Sequence, residues 1–147
     1  MSAKIDICDR MKLEKFVNNN HIDTIVNFAA ESHVDNSIAS PNIFFDTNVI
    51  GVVNILEICK KHGCRLHQIS TDEVIGAISP EMEIDSTEEA KFDPSSPYSS
   101  SKAAAELIIR SYVKTFGVEA TISRCTNNIG AWQNPEKMVP KTILNAL

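Results

Sequence analysis

Apolar residues recur at three-to-four spacing in four segments of the chain, and this spacing predicts amphipathic helices. The segments are residues 10–19, 42–62, 98–116 and 139–147. Asp9 is a suitable N-cap for the first helix, and Gly63 and Gly117 are suitable C-caps for the second and third. The pattern therefore predicts two long helices, each ended by a glycine, and two shorter ones.

Three short apolar runs between these helices have the composition of β-strands: residues 24–30, 66–70 and 119–123. The first run lacks a regular alternation of apolar and polar residues, which is typical of a parallel strand covered on both faces. Strands and helices that alternate at this spacing predict a parallel sheet with right-handed crossovers. The polar, acidic segment 79–97 is predicted to be a long loop.

Composition narrows the classes of function. The chain has 147 residues, of which 43% are hydrophobic, enough for one domain with its own core. Its net charge of −5 argues against a nucleic-acid partner. The longest apolar stretch, residues 48–58, is interrupted by polar residues and glycine, so no membrane span is predicted. Charged side chains among the first ten residues do not fit a signal peptide, and a cytoplasmic protein is expected.

The four cysteines form no Cys-x-x-Cys pair and are expected to be reduced thiols of the core: Cys8, Cys59, Cys64 and Cys125. Two of them lie close in sequence to His62 and His67. That spacing matches no zinc pattern, because the ligands would diverge where the helix gives way to the strand. No metal site is predicted.

Polar residues follow each predicted strand, at the sheet edge where ligands of parallel α/β proteins bind. Tyr98 and Lys102 are four residues apart on a predicted helix, so the ammonium group can lie near the phenol oxygen and lower its pKa. Such a tyrosine can take a proton from a sugar hydroxyl. Asp72 and Glu73 are adjacent just past a strand. Partial burial there can separate their pKa values, so that one carboxyl group stays protonated and acts as an acid while the other is ionised and acts as a base.

Four linked segments carry a family resemblance: Asn-Phe-Ala-Ala-Glu-Ser-His-Val-Asp at 27–35, Ser-Thr-Asp-Glu-Val at 70–74, Pro-Tyr-Ser-Ser-Ser-Lys-Ala-Ala-Ala-Glu at 97–106, and Asn-Asn-Ile-Gly at 127–130 with Pro-Glu-Lys-Met-Val-Pro at 135–140. They resemble motifs of the dTDP-glucose 4,6-dehydratases, which are extended short-chain dehydrogenase/reductases. The resemblance implies an α/β fold with a partial Rossmann-like, doubly wound parallel sheet in three layers. It also implies that residues 1–147 are the C-terminal half of an NAD-binding domain, with a substrate domain starting near residue 127.

The resemblance implies a set of NAD contacts. By it, Asp6 and Ile7 match the pair that flanks the adenine, and Thr47 matches a further contact. Residues 28–32 match a loop that passes under the cofactor: Phe28, Ala29, Ala30, Glu31 and Ser32. Asn128 would also hold the cofactor, and Lys102 would hold its ribose.

The same resemblance implies a lyase reaction on dTDP-glucose. Tyr98 would take the carbon-4 hydroxyl proton as hydride passes to NAD, and Thr71 would hold the sugar hydroxyl at that carbon. Glu73 would remove the carbon-5 proton and Asp72 would protonate the leaving carbon-6 hydroxyl. The remaining substrate contacts would come from Ser32, Asn127, Lys137 and Met138, with the last two on the diphosphate side.

Several features depart from the family. Its Gly-rich pyrophosphate loop has no counterpart here, so a fragment is expected that lacks this loop and most of the substrate domain. Ile75 stands where the family usually has an aromatic residue, and residues 129–131 read Ile-Gly-Ala instead of Tyr-Gly-Pro. The first predicted strand would have an unpaired edge, and such edges favour association with another chain. A homo-oligomer, specifically a dimer, is therefore expected.

Three alternatives stay open at this point. An NAD-dependent UDP-sugar epimerase or decarboxylase would use the Tyr/Lys pair but has no obvious task for Asp72 and Glu73. A catalytically inactive fragment would act as a binding or interaction module. In the last alternative, the polar strand ends are only caps and turns of an α/β domain.

Overall fold

The computed structural model of the protein describes residues 2–77 and 88–147. Its regular elements, in chain order, are α1 (Arg10–Asn19), β1 (Thr24–Asn27), α2 (Val34–Ala39), α3 (Pro41–His62), β2 (Arg65–Thr71), α4 (Pro97–Phe116), β3 (Ala120–Cys125) and α5 (Met138–Ala146). A single 3-10 turn, Asp72–Ile75, follows β2. Residues 79–87 of the predicted loop 79–97 lie outside the described residues, and residues 88–96 form no helix or strand, as predicted.

The predicted helix ends are confirmed. Asp9 caps α1 by accepting a hydrogen bond from the Lys12 backbone N–H at 3.1 Å. Gly63 and Gly117 end α3 and α4 in the left-handed conformation, with φ of 71° and 68°. The centre of α3, Asp46–Ile50, is wound as a π-helix, which the sequence pattern does not predict.

The three strands form a parallel sheet in the order β1, β2, β3. The central strand β2 buries Leu66, Gln68 and Ser70 on one face. β1 is shorter than predicted and alternates, since Asn27 is buried whereas Val26 is 50% exposed. The prediction that this strand is covered on both faces is therefore wrong for the described residues, because the helices pack against only one face.

The core lies between that face and the two long helices. It combines Val52, Ile55, Leu56 and Cys59 of α3 with Ile109 and Ala105 of α4, Leu66 of β2 and Val17 of α1. The predicted parallel α/β fold is confirmed, and the described residues supply two of its three expected layers. By length and composition α3 could cross a membrane, but the side chains just named place it in the core.

Other predictions need correction. The sequence pattern missed α2, a helix of six residues that the side chain of His33 caps by accepting the Asn36 backbone N–H at 3.3 Å. All four cysteines are free, but Cys8 is exposed and so does not belong to the core. It lies in the loop before α1, where its Sγ is 3.5 Å from the Asp46 carbonyl oxygen.

Candidate functional site

A cleft of about 480 Å³ opens at the carboxyl ends of the three strands. Its walls come from the segment after β1, the end of β2 with its 3-10 turn, the start of α4 and the segment after β3. The lining residues are Phe28, Ala30, Ser32, His33, Val34, Asp35, Ile69, Ser70, Thr71, Glu73, Tyr98, Lys102, Cys125, Thr126, Asn127, Asn128, Gln133, Glu136, Lys137 and Met138. This is where a parallel α/β sheet binds its ligands.

Lys102 lies at the base of the cleft, 5% exposed. Its ammonium group donates a hydrogen bond to the carbonyl oxygen of Ile69 at 2.6 Å. Burial lowers the pKa of this lysine. An ammonium group has three donors, so two remain for a ligand in the cleft.

Tyr98 is one helical turn before Lys102 and lines the same cleft. Its pKa is raised, first by burial and then by the negative charge of Glu73, while a hydrogen bond with the Thr71 side chain acts in the opposite direction. Burial is the largest effect on the pKa of Tyr98, and the Lys102 ammonium group donates to the Ile69 carbonyl oxygen. That Lys102 lowers the pKa of Tyr98 stays a prediction.

The 3-10 turn after β2 presents the two predicted carboxyl groups. Thr71 caps the turn, because its Oγ1 accepts the Glu73 backbone N–H at 3.3 Å. Burial raises the pKa of Glu73, and the charge of Asp72 raises it further, against an opposing effect of Lys137. A carboxylate with a raised pKa is a stronger base, which suits the removal of a proton from carbon.

A buried side-chain network holds the loop of residues 28–32 against the helices. Asn48, in the π-helical centre of α3, accepts the Glu31 backbone N–H and donates to the Glu31 carbonyl, both at 2.9 Å. The same amide group also donates to Ser101 Oγ at 2.9 Å, on the helix that carries Tyr98 and Lys102. The loop 28–32 is thereby fixed relative to α4.

A second buried network lies behind the cleft. Glu106, 1% exposed, accepts Ser70 Oγ at 2.6 Å and pairs with Arg124, whose nearest nitrogen is 2.9 Å away. Arg124 also donates to the carbonyl oxygen of Glu88 at 3.3 Å and lies over the ring of Phe92. This ion pair ties the ends of β2 and β3 to each other and to the end of the acidic segment.

The cleft brings together most of the residues predicted for the site. Eleven of the predicted residues line it: Phe28, Ala30, Ser32, Thr71, Glu73, Tyr98, Lys102, Asn127, Asn128, Lys137 and Met138. Ala29, Glu31 and Asp72 are adjacent in sequence to lining residues but do not line the cleft themselves.

The predicted adenine contacts lie elsewhere, beside the middle of α3. Ile7 packs so closely that a Cβ on Gly51 would be 2.6 Å from its Cδ1. The Ile7 carbonyl oxygen accepts a hydrogen bond from Asn54 Nδ2 at 3.1 Å. Thr47 lies in the π-helical centre of α3, next to Asp46, whose carbonyl oxygen is 3.5 Å from Cys8 Sγ. Asp6 accepts the Cys8 backbone N–H at 2.8 Å. Their roles, like those of the other site residues, remain predictions.

Sequence reasoning missed the residues that support the site. Asn48 and Glu106 each interrupt the apolar face of a helix, and a polar residue on a buried face is the signal that could have found them. Glu106 continues the stripe of Tyr98 and Lys102 at four-residue spacing. Glu136 also lines the cleft, with its Oε2 3.4 Å from His33 Nε2, and no periodicity marks it.

Comparison with known proteins agrees with this geometry. The family model described as GDP-mannose 4,6 dehydratase matches residues 2–147. The dTDP-glucose 4,6-dehydratase of Mycobacterium tuberculosis (strain H37Rv) is 50% identical over 125 residues, which cover 85% of this chain and 38% of that protein. The chain therefore spans less than half the length of this curated relative.

Two solved structures are similar over 97% of the chain. The dTDP-glucose 4,6-dehydratase DesIV from Streptomyces venezuelae, with NAD bound, is 41% identical with a TM-score of 0.89, and 43% of it is covered. The UDP-glucose 4-epimerase of Thermus thermophilus, in complex with NAD, is 29% identical with a TM-score of 0.86, and 46% of it is covered. With its fold, its strand-end cleft and this family match over residues 2–147, the chain belongs to the GDP-mannose 4,6-dehydratase family.

Proposed function

We propose that the protein acts as a dTDP-glucose 4,6-dehydratase, a lyase that removes water from the sugar to give its 4-keto-6-deoxy form. One observation carries the proposal: Tyr98, Thr71 and Glu73 all line a single cleft at the carboxyl ends of the strands. A phenol, a hydroxyl and a carboxylate within one site can act on neighbouring carbons of one sugar ring. The relatives at 38–50% identity are named for this reaction.

Each side chain has a defined task in this proposal. Tyr98 receives the proton of the carbon-4 hydroxyl, while Thr71 orients that hydroxyl. Glu73 takes the proton from carbon 5, and its raised pKa increases its strength as a base. Asp72 donates a proton to the carbon-6 hydroxyl, which leaves as water.

The cleft fits a nicotinamide cofactor. Lys102 has two unused donors beside the Ile69 carbonyl, suitable for ribose hydroxyls, and Phe28, Ala30 and Asn128 line the same space. When bound, NAD would accept a hydride from the sugar and later return it. Asp6, Ile7 and Thr47 are the proposed contacts of the adenine half.

The nucleotide of the substrate is proposed to lie toward the segment after β3. Asn127, Lys137 and Met138 line this side of the cleft, and a lysine ammonium is a suitable partner for a diphosphate. Ser32 faces the same space from the opposite wall. We place the start of a substrate domain near residue 127 on this basis.

The proposal extends to compartment and assembly. We infer a cytoplasmic protein, which agrees with its free cysteines. We also infer a homodimer, because the outer faces of α3 and α4 carry exposed apolar side chains such as Phe45, Ile50 and Leu107.

Amide variants of the carboxyl pair test the reaction. Asp72→Asn and Glu73→Gln keep the length of each side chain, and Asp35→Asn is a control for a cleft carboxylate without an assigned task. With NAD and dTDP-glucose, the first two are expected to keep formation of reduced cofactor and lose formation of the 4-keto-6-deoxy sugar. Full turnover in either variant would contradict the assignment, and release of a carbon-4 epimer would favour the epimerase alternative.

A further inference from the structure

The segment that carries Lys137 is joined to the opposite wall of the cleft by one close polar contact. His33 Nε2 lies 3.4 Å from Glu136 Oε2. His33 follows the loop of residues 28–32, whereas Glu136 precedes α5 on the nucleotide side. Within residues 2–77 and 88–147, no other hydrogen bond or ion pair joins positions 129–147 to the part of the chain before β3. The charge of Lys137 also acts on Glu73, but without a direct contact.

Three local hydrogen bonds determine the geometry of this contact. His33 Nδ1 accepts the Asn36 backbone N–H at the start of α2, so the hydrogen of the neutral ring is on Nε2, which faces the carboxylate. On the other wall, Asn134 Oδ1 accepts the Glu136 backbone N–H at 3.1 Å. The Asn134 carbonyl oxygen accepts the Lys137 backbone N–H at 3.0 Å. Both ends of the contact are therefore oriented by backbone hydrogen bonds.

The same carboxylate also reaches Lys137. Glu136 Oε1 lies 3.8 Å from Lys137 Nζ, while its other oxygen faces His33. The three side chains form a row across the mouth of the cleft, and all three line it. Without this row, α5 has little to hold it, because its residues are exposed or only partly buried.

We propose that Glu136 is a positioning residue, which joins His33 to Lys137 across the cleft and holds the Lys137 ammonium ready for the diphosphate of a nucleotide sugar. The diphosphate part rests on the proposed function, whereas the link across the cleft does not. A preorganised lysine binds an anion with less loss of side-chain freedom. Glu136 thereby favours anion binding although it carries a negative charge.

This role predicts that removal of Glu136 weakens anion binding, which is the opposite of what simple electrostatics predicts. If Glu136 were only a nearby negative charge, its removal would strengthen the binding of an anion. If it positions Lys137, Glu136→Ala weakens the binding of dTDP. We expect a loss of about two- to fivefold, the range measured for partly exposed charge pairs.

The first experiment needs no ligand. Amide hydrogen exchange at Lys137 is compared between the parent protein, His33→Ala and Glu136→Ala, with Lys141→Ala as a control on the same segment. Faster exchange in the first two variants, and no change in the control, is expected. Equal exchange in all four proteins would overturn the link across the cleft whether or not the protein is a dehydratase.

The second experiment measures dTDP binding by calorimetry in a double-mutant cycle. His33→Ala and Glu136→Ala are each expected to weaken binding, and the double variant is expected to lose no more than either alone. Glu136→Gln, which keeps the polar contact to His33, is expected to recover most of the affinity. Unchanged or tighter binding in Glu136→Ala, or losses that add, would overturn the positioning role. If the parent protein does not bind dTDP, the proposed function fails and the exchange experiment still decides the link.

Discussion

Removal of the buried carboxylate of Glu106 is expected to destabilise the fold more than any exposed substitution. Glu106→Ala takes away the acceptor of Ser70 Oγ, at 2.6 Å, and the partner of the Arg124 guanidinium, at 2.9 Å. The Arg124 side chain is only 14% exposed and would be left without its counter-charge. Arg110, 3.8 Å from the same carboxylate, is 49% exposed, so water would solvate its guanidinium group in the variant.

The size of the effect follows from burial. Breaking a buried ion pair by deleting one partner costs about 3–5 kcal/mol. Because Arg124 keeps its hydrogen bond to the Glu88 carbonyl and reaches some solvent, we expect about 3 kcal/mol, near the lower limit. That loss is a large part of the roughly 5–15 kcal/mol that stabilises a typical domain.

Urea denaturation followed by far-ultraviolet circular dichroism measures the change. With a slope of about 2 kcal/mol per molar, the midpoint should fall by about 1.5 M in Glu106→Ala. The double variant Glu106→Leu/Arg124→Met removes both charges and should recover most of this loss. A loss of less than about 1 kcal/mol in the unfolding free energy of Glu106→Ala would refute the reasoning, because it would mean that water solvates the unpaired Arg124 guanidinium group in the variant.

Three further predictions concern the backbone, the pH dependence and the cleft. Gly76→Ala should lower the stability of the protein in thermal unfolding more than Gly63→Ala does. Both glycines have positive φ, so both substitutions are strained. Only at position 76 would the new Cβ also clash, because it would lie 2.5 Å from the Asp93 carbonyl oxygen, whereas the space at position 63 is open. Equal losses would contradict this. Burial raises the pKa of Glu73 in the folded protein, so the stability linked to this group is fully present below its ordinary pKa of 4.5 and is lost as pH rises through the pKa of the folded state. Urea titrations of Glu73→Gln should lack this decline with pH. A pH profile equal to that of the parent protein would contradict this prediction. Asn48→Ala should weaken NAD binding in calorimetry severalfold, since it frees the Glu31 backbone, and parent-like affinity would contradict that.

Much of the fold could be predicted because its signals are local. The two αL glycines and the Asp9 cap fixed helix ends, and the three-to-four spacing located α1, α3 and α4 closely. The helix α2 was missed because six residues give too short a periodic pattern. The coverage of the sheet was wrong because a strand's own sequence does not show which helices pack on it.

The site shows where such reasoning ends. The spacing of Tyr98 and Lys102 correctly predicts that both line one cleft. It does not predict that the Lys102 ammonium group donates a hydrogen bond to the Ile69 carbonyl oxygen. Burial decides the pKa of Tyr98, and burial depends on segments distant in sequence. Glu106 was missed for a related reason: a glutamate on a helix is usually solvated, and its partner Arg124 lies on a strand 18 residues away.

Conversion of dTDP-glucose by the protein in D2O, with NAD present, tests the proposed reaction most directly. If Glu73 removes the carbon-5 proton, solvent deuterium should enter the product at carbon 5, and mass spectrometry should show a 4-keto-6-deoxy sugar that carries it. Glu73→Gln should yield neither the product nor the label. A product that retains its carbon-6 oxygen, a dehydrated product without deuterium at carbon 5, or no conversion at all would contradict the dehydratase assignment.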